Sequence, residues 1–184
     1  MVRDWTIRRK PGSFLSRGIL RDYTSGIRFS AEVLVELAAD WVVGFVDGEG
    51  CFHVSINRHD EMTVGYQVLP EFVVVQHQAD EQILYALKRF FRGGVVRQNH
   101  GDRSCLRVRN LSVLKEVCEF FSKHPLKTRK NVEFHKFRRI VLFMDERRHL
   151  NREGLLQIVE IAISMNTAQR PSLEKVKTAL AESG

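Results

Sequence analysis

The sequence predicts an α+β fold in which antiparallel β-hairpins alternate with helices. Two observations support this prediction. Pairs of segments with alternating apolar and polar residues are joined by short polar connections, as hairpins require. Segments between and after these pairs have apolar residues at helical spacing. The predicted order is helix, strand, strand, helix, strand, strand, helix and then extra helices, with the helices covering one face of the sheet.

The first helix and the first hairpin are predicted from residues 30–75. Ser30 can cap the helix, which should end at the Gly48-Glu49-Gly50 cluster. A strand of alternating apolar and polar residues follows over residues 51–57. After the polar connection RHDEMT, a second strand runs from about residue 64 to 75. Pro70 inside this strand predicts an edge or a bulge, because proline cannot donate a ladder hydrogen bond.

The second half of the pattern has the same order. Helical spacing returns near residue 83 and stops at Gly93-Gly94. Two short strands, Val95 to Asn99 and Arg103 to Arg109, are joined by the turn HGD. A helix from about Ser112 to Ser122 and a long helix from Arg129 to about Glu146 complete the pattern.

Two further helices are predicted near the C terminus. Asn151 can cap a helix over residues 152–164, and Ser172 can cap one over residues 173–182. Both segments repeat apolar residues at helical spacing, so each should bury one face against the domain.

Length and composition predict one domain, residues 30–184, preceded by a basic N-terminal arm, residues 1–29. The arm shows no sustained hydrophobic period. No apolar run is long enough for a membrane-spanning helix, so no membrane partner is expected. Three widely separated cysteines match neither a disulfide framework nor a zinc spacing. They favour a reducing intracellular compartment, either the cytoplasm or an organelle matrix.

The charge is distributed unevenly along the 184 residues, whose formal net charge is +7. Counted from the sequence, residues 1–30 carry +5, residues 31–87 carry −9, residues 88–152 carry +12 and residues 153–184 carry −1. A basic block of this density predicts contact with phosphates, with nucleic acid ahead of membrane as the partner. The alternative is that these lysines and arginines only solvate helix faces.

One face of the sheet is predicted to contact nucleic acid. Arg103, Arg107 and Arg109 alternate with the apolar residues of their strand, so all three should lie on the face that the helices leave open. A twisted antiparallel ribbon fits the major groove of DNA, where arginine can recognise guanine. The alternative is an ordinary solvated face, which Glu71 favours. The candidate DNA contacts are His53, Ser55, Asn57, Arg58, Gln67, Arg97, Asn99, Arg103, Arg107 and Arg109.

The segment WVVGFVDGEG (residues 41–50) carries the most specific signal. Gly44 and Gly48 lie four residues apart on one helix face, where each glycine costs about 1 kcal/mol, so a close approach by the same helix of a second chain is expected. Trp41 should lie on the same contact surface. Asp47 and Glu49 sit where the helix end presents free carbonyls, a combination of oxygens that can bind Mg²⁺. The alternative is a simple helix stop.

This segment closely resembles the motif of the LAGLIDADG homing endonuclease family in its common form LAGFVDGEG. The predicted layout over about residues 31–166 is similar to that family too. Gln76 resembles the family's glutamine at the end of the second strand, and HPLKTRKN resembles its basic segment before a long helix. Departures from the family pattern occur at Val42-Val43, at Asp80 and at Arg129, where a catalytic lysine is common.

The resemblance implies a site-specific homing endonuclease with an antiparallel, saddle-shaped sheet. One motif per chain resembles the single-motif class, whose members act as homodimers. The implied reaction is metal-dependent hydrolysis of one phosphodiester bond per strand, which gives a staggered double-strand break in a long DNA target. Glu49 would hold the metal with the carbonyl of Gly48, Gln76 would position solvent, and Arg129 or Lys130 would stabilise phosphate charge. Mg²⁺ is the expected ion, and Mn²⁺ or Ca²⁺ can replace it in binding.

Two alternatives on the same fold stay open at this point. The chain can be an RNA maturase that binds its own intron RNA, or a nucleic-acid-binding module that does not cleave. Glu49 favours a nuclease, because a degenerate member need not retain an acid there, whereas Arg129 in place of lysine weakly favours the alternatives.

Overall fold

The computed structural model describes residues 36–166 and 169–182. It confirms the α+β class and the predicted order of elements. Short 3₁₀ turns lie before α2 and between α4 and α5. The helices and strands are α1 (Ala39–Glu49), β1 (Gly50–Arg58), β2 (Tyr66–His77), α2 (Glu81–Phe90), β3 (Val95–Gln98), β4 (Arg103–Val108), α3 (Leu111–Lys123), α4 (Lys130–Asp145), α5 (Arg152–Ser164) and α6 (Pro171–Glu182).

The strands of the described residues form one antiparallel sheet in the order β1-β2-β4-β3. Gly50 pairs with Val74 at one end of the first hairpin, and Arg58 pairs with Tyr66 at the other. β2 also pairs with β4. Directly paired residues of antiparallel strands share a face, so the register assigns every strand residue to one of two faces.

Helices cover one of these faces, and phenylalanines fill the space between. Phe52 of β1 and Phe72 of β2 are fully buried, as are Phe121 of α3 and Phe134 of α4. The ring centroids of Phe52 and Phe72 are 5.3 Å apart, and Phe52 lies 5.9 Å from Phe121 and 5.5 Å from Phe134. These contacts fix the sheet against α3 and α4, and α4 begins at the end of the sheet that adjoins α1.

Two predicted helix starts are wrong. The first helix begins at Ala39, because Ala38 has an extended backbone and residues 36–38 are not helical. The predicted cap Ser30 lies outside the described residues. The last helix begins at Pro171, so Ser172 lies inside its first turn instead of capping it. Proline suits a first helical position because its missing N–H is unpaired there in any case.

Several strand predictions need smaller corrections. β2 is shifted toward the C terminus, and neither Asn99 nor Arg109 belongs to a strand. β2 is an inner strand, and its register with β1 continues past Pro70 without a bulge. Pro70 is tolerated because the pairing of β2 with β4 begins only at Phe72, so Pro70 has a strand neighbour on one side alone.

The predicted basic arm, residues 1–29, lies outside the described residues, and the single domain over residues 30–184 stays a prediction. Among the residues that the structure describes, no helix has both the length and the apolar character needed to cross a membrane.

Candidate functional site

The C-terminal end of α1 presents a carboxylate beside free carbonyl groups. Val42 and Val46 are fully buried and hold α1 against the sheet, and Gly50 ends the helix as its cap. Gly48 and Glu49 are both exposed. Within the described part of the chain, no hydrogen bond or ion pair joins Glu49 to another side chain. The carboxylate is therefore available to an external cation.

Lys130, the first residue of α4, reaches this helix end. Its Nζ donates to the carbonyl oxygen of Val46 at 2.8 Å and to that of Gly48 at 3.2 Å. A helix C terminus carries unpaired carbonyls and negative dipole charge, so an ammonium group is favoured there. Burial lowers the pKa of Lys130 below its ordinary value, although nearby anionic groups, Asp47 first, oppose this effect.

Asp47 connects α1 to the loop that precedes α4. Its carboxylate accepts hydrogen bonds from the backbone N–H of Lys127 at 2.6 Å, the N–H of Thr128 at 3.3 Å and the Thr128 hydroxyl at 2.8 Å. Burial alone would raise the pKa of Asp47, but these hydrogen bonds and the charge of Lys130 together lower it below its ordinary value. Asp47 thus fixes the loop that leads into Lys130.

The other two predicted catalytic residues have different surroundings. Arg129 is exposed and lines a cleft of about 260 Å³ together with Cys51, Glu133 and Asn166. Gln76 pairs with Ser104 near the end of β2, and its Oε1 accepts a hydrogen bond from the neighbouring backbone N–H at 3.0 Å. Of the two basic candidates, Lys130 is the one that contacts the end of α1.

The oxygen groups at this helix end match part of a metal site. Among the described residues, no group of three or more His, Cys, Asp or Glu side chains is placed to hold a metal ion. Glu49 offers a carboxylate, and the Gly48 carbonyl keeps one lone pair beside its bond from Lys130. Mg²⁺ commonly binds through one or two carboxylates and takes its other ligands from water and substrate phosphates. These oxygen donors therefore fit a hard divalent cation whose remaining ligands come from water and substrate phosphates.

The second face of the sheet, here called the open face, carries most of the predicted contacts. Its residues are exposed or half-buried, except for the buried Cys105. By register and alternation the open face holds His53, Ser55, Asn57, Gln67, Glu71, Arg97, Arg103 and Arg107. Arg109 directly follows β4 on the same side of the alternation.

Three predicted residues stand apart from this face. By alternation along β1, Arg58 belongs to the helix-covered face. It forms an ion pair with Asp60, 3.2 Å away, at the far end of β1. Gln76 likewise has the alternation of the helix-covered side. Asn99 lies in the turn after β3, where its N–H donates to the carbonyl of Arg103 at 2.7 Å.

Arg170 was not found by the sequence reasoning, because its contacts join distant parts of the chain. Its Nη2 donates to the carbonyl of Val54 at 2.9 Å and lies 3.3 Å from Nδ1 of His53, while Nη1 donates to the carbonyl of Ala162 at 2.9 Å. Burial and the charge of Arg170 lower the pKa of His53. His53 also lies 3.0 Å from the hydroxyl of Ser55, so its ring is held in place on the open face.

An exposed stripe runs along α1. Gly44 and Gly48 are exposed, and a Cβ added at either would meet nothing within 4 Å. Trp41 is 41% exposed and stacks on Phe45 with ring centroids 4.7 Å apart. Packing within the described part of the chain therefore does not explain why glycine occupies these two helix positions.

Comparison with known proteins finds similarity to endonucleases, several of them intron-encoded. The LAGLIDADG endonuclease family matches residues 42–141. The chain is 28% identical to "Probable intron-encoded endonuclease 3" of Neurospora crassa over 73% of its own length and 26% of the relative's. It is 27% identical to "Probable intron-encoded endonuclease Cox1-I1b" of Schizosaccharomyces pombe over 75% of its own length and 36% of the relative's. The chain thus spans only about a quarter to a third of these curated relatives.

Solved structures extend the similarity. The crystal structure of the homing endonuclease I-TnaI is 57% identical to this chain, with a TM-score of 0.77 over 79% of this chain and 99% of that one. I-SmaMI bound to uncleaved DNA target in the presence of calcium ions is 28% identical, with a TM-score of 0.74 over 77% of this chain and 49% of that one. The family match covers more than half of the 184 residues and includes most of α1, the sheet and most of α4. The chain therefore belongs to the LAGLIDADG endonuclease family.

Proposed function

We propose that this chain is a site-specific homing endonuclease that makes a staggered double-strand break in a long DNA target. The observation that carries the proposal is the exposed carboxylate of Glu49 at the end of α1, where the ammonium group of Lys130 donates to the carbonyl of the preceding residue, Gly48. A negative group that can hold a cation and a positive group that can meet a phosphate are the two parts that metal-assisted phosphodiester hydrolysis needs.

The proposed cofactor is a divalent cation, with Mg²⁺ as the physiological ion and Mn²⁺ or Ca²⁺ able to replace it in binding. Glu49 and the carbonyl of Gly48 would hold it. When bound, the ion supplies Lewis-acid chemistry, which polarises the phosphate, lowers the pKa of a water and stabilises the leaving oxygen. The DNA complex of the relative I-SmaMI that is named with calcium ions supports a divalent cation near DNA in this family.

The side chains of this protein would do the rest of the work. Lys130, which contacts the end of α1, would stabilise developing charge on the scissile phosphate, and Arg129 would contact the DNA backbone nearby. Gln76 would orient solvent from the end of β2. Asp47 would act only by positioning Lys130, through the loop that it holds.

The open face is the proposed DNA interface. A twisted antiparallel sheet can enter the major groove, about 12 Å wide, and place side chains against base edges. Arg97, Arg103 and Arg107 would recognise guanine there, with Arg109 beside them. His53, Ser55, Asn57 and Gln67 would donate or accept further hydrogen bonds to bases. Arg58 and Asn99, which lie beyond the open face, would contact phosphates.

A homodimer is the proposed active form. Two strands must be cut, and one chain offers one carboxylate at the end of one motif helix. The exposed stripe of Trp41, Gly44 and Gly48 is the surface that a second copy would cover, since two glycines on a helix allow close backbone approach. Self-association through α1 would bring the two Glu49 side chains toward one shared DNA site.

Neither alternative function has a supporting observation of its own. An RNA maturase or a non-cleaving DNA-binding module has no need for an unpartnered Glu49 beside Lys130.

The intron-encoded names of the relatives support an intron setting for this chain. The proposed place of action is therefore the reducing compartment that holds the intron-bearing genome, either the cytoplasm or an organelle matrix.

A cleavage selection tests the proposed function. Purified protein is incubated with a plasmid library of randomised duplex inserts in Mg²⁺, and the linear products are sequenced. We expect one related set of cut sequences with a fixed offset between the two strands, and no product in EDTA. Cutting without a preferred sequence, or equal cutting in EDTA, would contradict the proposal.

A further inference from the structure

Glu71 occupies the middle of the open face, where an acidic group is unfavourable for DNA binding. It lies in the centre of β2, directly opposite His53 of β1. Its side chain is only 13% exposed. A carboxylate facing phosphates weakens binding electrostatically, so its position on this face requires a compensating role.

Arg107 of β4 and Arg109, which directly follows β4, converge on this carboxylate. The Nε of Arg109 donates to Oε2 of Glu71 at 2.8 Å, and Nη1 of Arg107 lies 3.6 Å from the same oxygen. The side chain of Arg107 is 24% exposed and that of Arg109 is 53% exposed. Among the described residues, the Nε of Arg107 is buried without a hydrogen-bond partner.

The geometry of the pairs leaves the arginine ends available. Arginine has five N–H donors in a rigid plane. Because Arg109 uses Nε for Glu71, its two terminal nitrogens stay available for a second, bidentate partner such as guanine. A side chain that is already held in place loses less conformational entropy when it binds DNA. The carboxylate also repels phosphate, which disfavours a shift of either guanidinium toward the backbone.

We propose that Glu71 is a positioning residue that sets target preference by holding Arg107 and Arg109 for base recognition. This inference rests on one part of the proposed function, the binding of duplex DNA. It does not depend on cleavage. A fully exposed ion pair on a sheet contributes little to folding stability. Glu71 differs because it is largely buried, receives two guanidinium groups and lies on the surface proposed to meet DNA.

The test uses binding selection in Ca²⁺, so that cleavage is not part of the readout. Full-length wild type and Glu71→Gln are each used to select bound duplexes from a randomised library. We expect Glu71→Gln to lose about tenfold preference at one or two adjacent base positions, near the low end of what an arginine–guanine contact provides. We also expect tighter binding to an unrelated duplex, with a logarithmic salt slope steeper by about one.

Two controls separate positioning from general effects of charge or folding. Asp102→Asn removes one negative charge from the turn between β3 and β4, where Asp102 pairs with His77 of β2 at 3.1 Å and not with an arginine. It should leave the base preference unchanged. In an Arg107→Ala, Arg109→Ala background, adding Glu71→Gln should change the preference no further, because Glu71 acts through those two residues. If Glu71→Gln fails to fold, Glu71→Asp gives the same test, since its shorter carboxylate cannot keep both contacts.

Three results would overturn the inference. The first is that Glu71→Gln keeps the wild-type base preference, and the second is that its effect persists in the background that lacks both arginines. Wild-type protein that binds duplexes with no base preference would refute the inference together with the proposed DNA specificity. Selective binding without any cleavage would refute only the proposed reaction, and the Glu71 comparison would still decide this inference.

Discussion

Asp47 and Glu49 lie two residues apart in α1, yet their surroundings differ completely. Asp47 is enclosed by three hydrogen bonds from Lys127 and Thr128, so its oxygens are already used. Glu49 is exposed at the helix end. The two acids of the motif therefore have different roles. Asp47 stabilises the loop before α4, whereas the carboxylate of Glu49 is exposed to an external cation.

Asp47→Asn should destabilise the fold at neutral pH by about 1–3 kcal/mol, because an amide replaces a charged hydrogen-bond acceptor. The pKa of Asp47 is lower in the folded protein than its ordinary value of 3.8. The stabilisation from Asp47 is therefore present above about pH 3.8 and is lost as the pH falls through the lower folded value. Urea denaturation at several pH values should show less acid dependence in the variant. Asp40→Asn, an exposed site on the same helix, is the control and should cost less than about 1 kcal/mol. Equal stability of Asp47→Asn and wild type would contradict the assigned role.

Lys130 and Arg129 are adjacent, but only Lys130 contacts the end of α1. Lys130→Met should reduce the cleavage rate by about 10²–10³-fold with little loss of DNA affinity, as removal of a charge-stabilising donor does. Arg129→Met should instead weaken binding and reduce its salt dependence. Single-turnover cleavage and equilibrium binding of both variants separate these effects. A variant of Lys130 that cuts at the wild-type rate would transfer the catalytic role to Arg129.

At the scale of elements, α6 depends on two arginine anchors. Arg152 donates to the carbonyls of Leu180 and Ala181 near the C-terminal end of α6. Arg170, just before α6, donates to the carbonyls of Val54 and Ala162 and so connects α6 to β1 and α5. These bonds supplement the buried residues of α6, such as Leu173, in holding the C-terminal helices against the core.

Arg170→Ala should lower the free energy of unfolding by about 1–3 kcal/mol, because two partly buried carbonyls lose a charged donor. The measurement is a urea denaturation series at neutral pH. Lys175→Ala, an exposed position on α6, is the matched control and should stay within about 0.5 kcal/mol of wild type. An Arg170 variant as stable as the control would show that apolar packing alone holds α6.

Patterns of neighbouring residues predicted most ends of helices and strands. The contacts that they did not predict join segments that are distant in the sequence. The alternation of β1 and the Gly93-Gly94 stop after α2 were predicted correctly, since both depend on neighbouring residues. The predicted start of α1 is too early because apolar spacing continues upstream of Ala38, whereas the backbone of Ala38 itself is extended. The contacts of Glu71 with Arg109 and of Arg170 with Val54 join segments more than thirty residues apart, and no local pattern encodes them.

At the scale of the whole molecule, the exposed stripe on α1 is the surface through which we propose that two copies associate. Each glycine in a helix costs about 1 kcal/mol relative to alanine, yet no described residue comes within 4 Å of a Cβ added at Gly44 or Gly48. Trp41 leaves a large aromatic surface beside them. A helix from a second copy would cover this surface and place one Glu49 from each chain near the same DNA.

Gly44→Leu should convert the protein from a dimer to a folded monomer, because the added side chain would separate the two helices, while a Cβ at this position meets nothing within 4 Å among the described residues of its own chain. Sedimentation velocity gives the oligomeric state, and thermal denaturation shows whether each chain is folded. Lys175→Leu adds the same side chain at an exposed position of α6 and should leave the dimer intact. Dimeric, active Gly44→Leu, or monomeric wild type, would place the interface elsewhere.

The central claim is that Glu49 at the end of α1 makes this chain a metal-dependent DNA endonuclease. The most direct measurement compares wild type, Glu49→Gln and Glu61→Gln on the selected target in Mg²⁺, with binding measured in parallel. Glu61 is exposed in the loop between β1 and β2, so Glu61→Gln makes the same chemical change away from the site. We expect Glu49→Gln to bind the target at least as tightly as wild type but to cut neither strand, and Glu61→Gln to cut like wild type. Cleavage by purified Glu49→Gln at the wild-type rate would contradict the account.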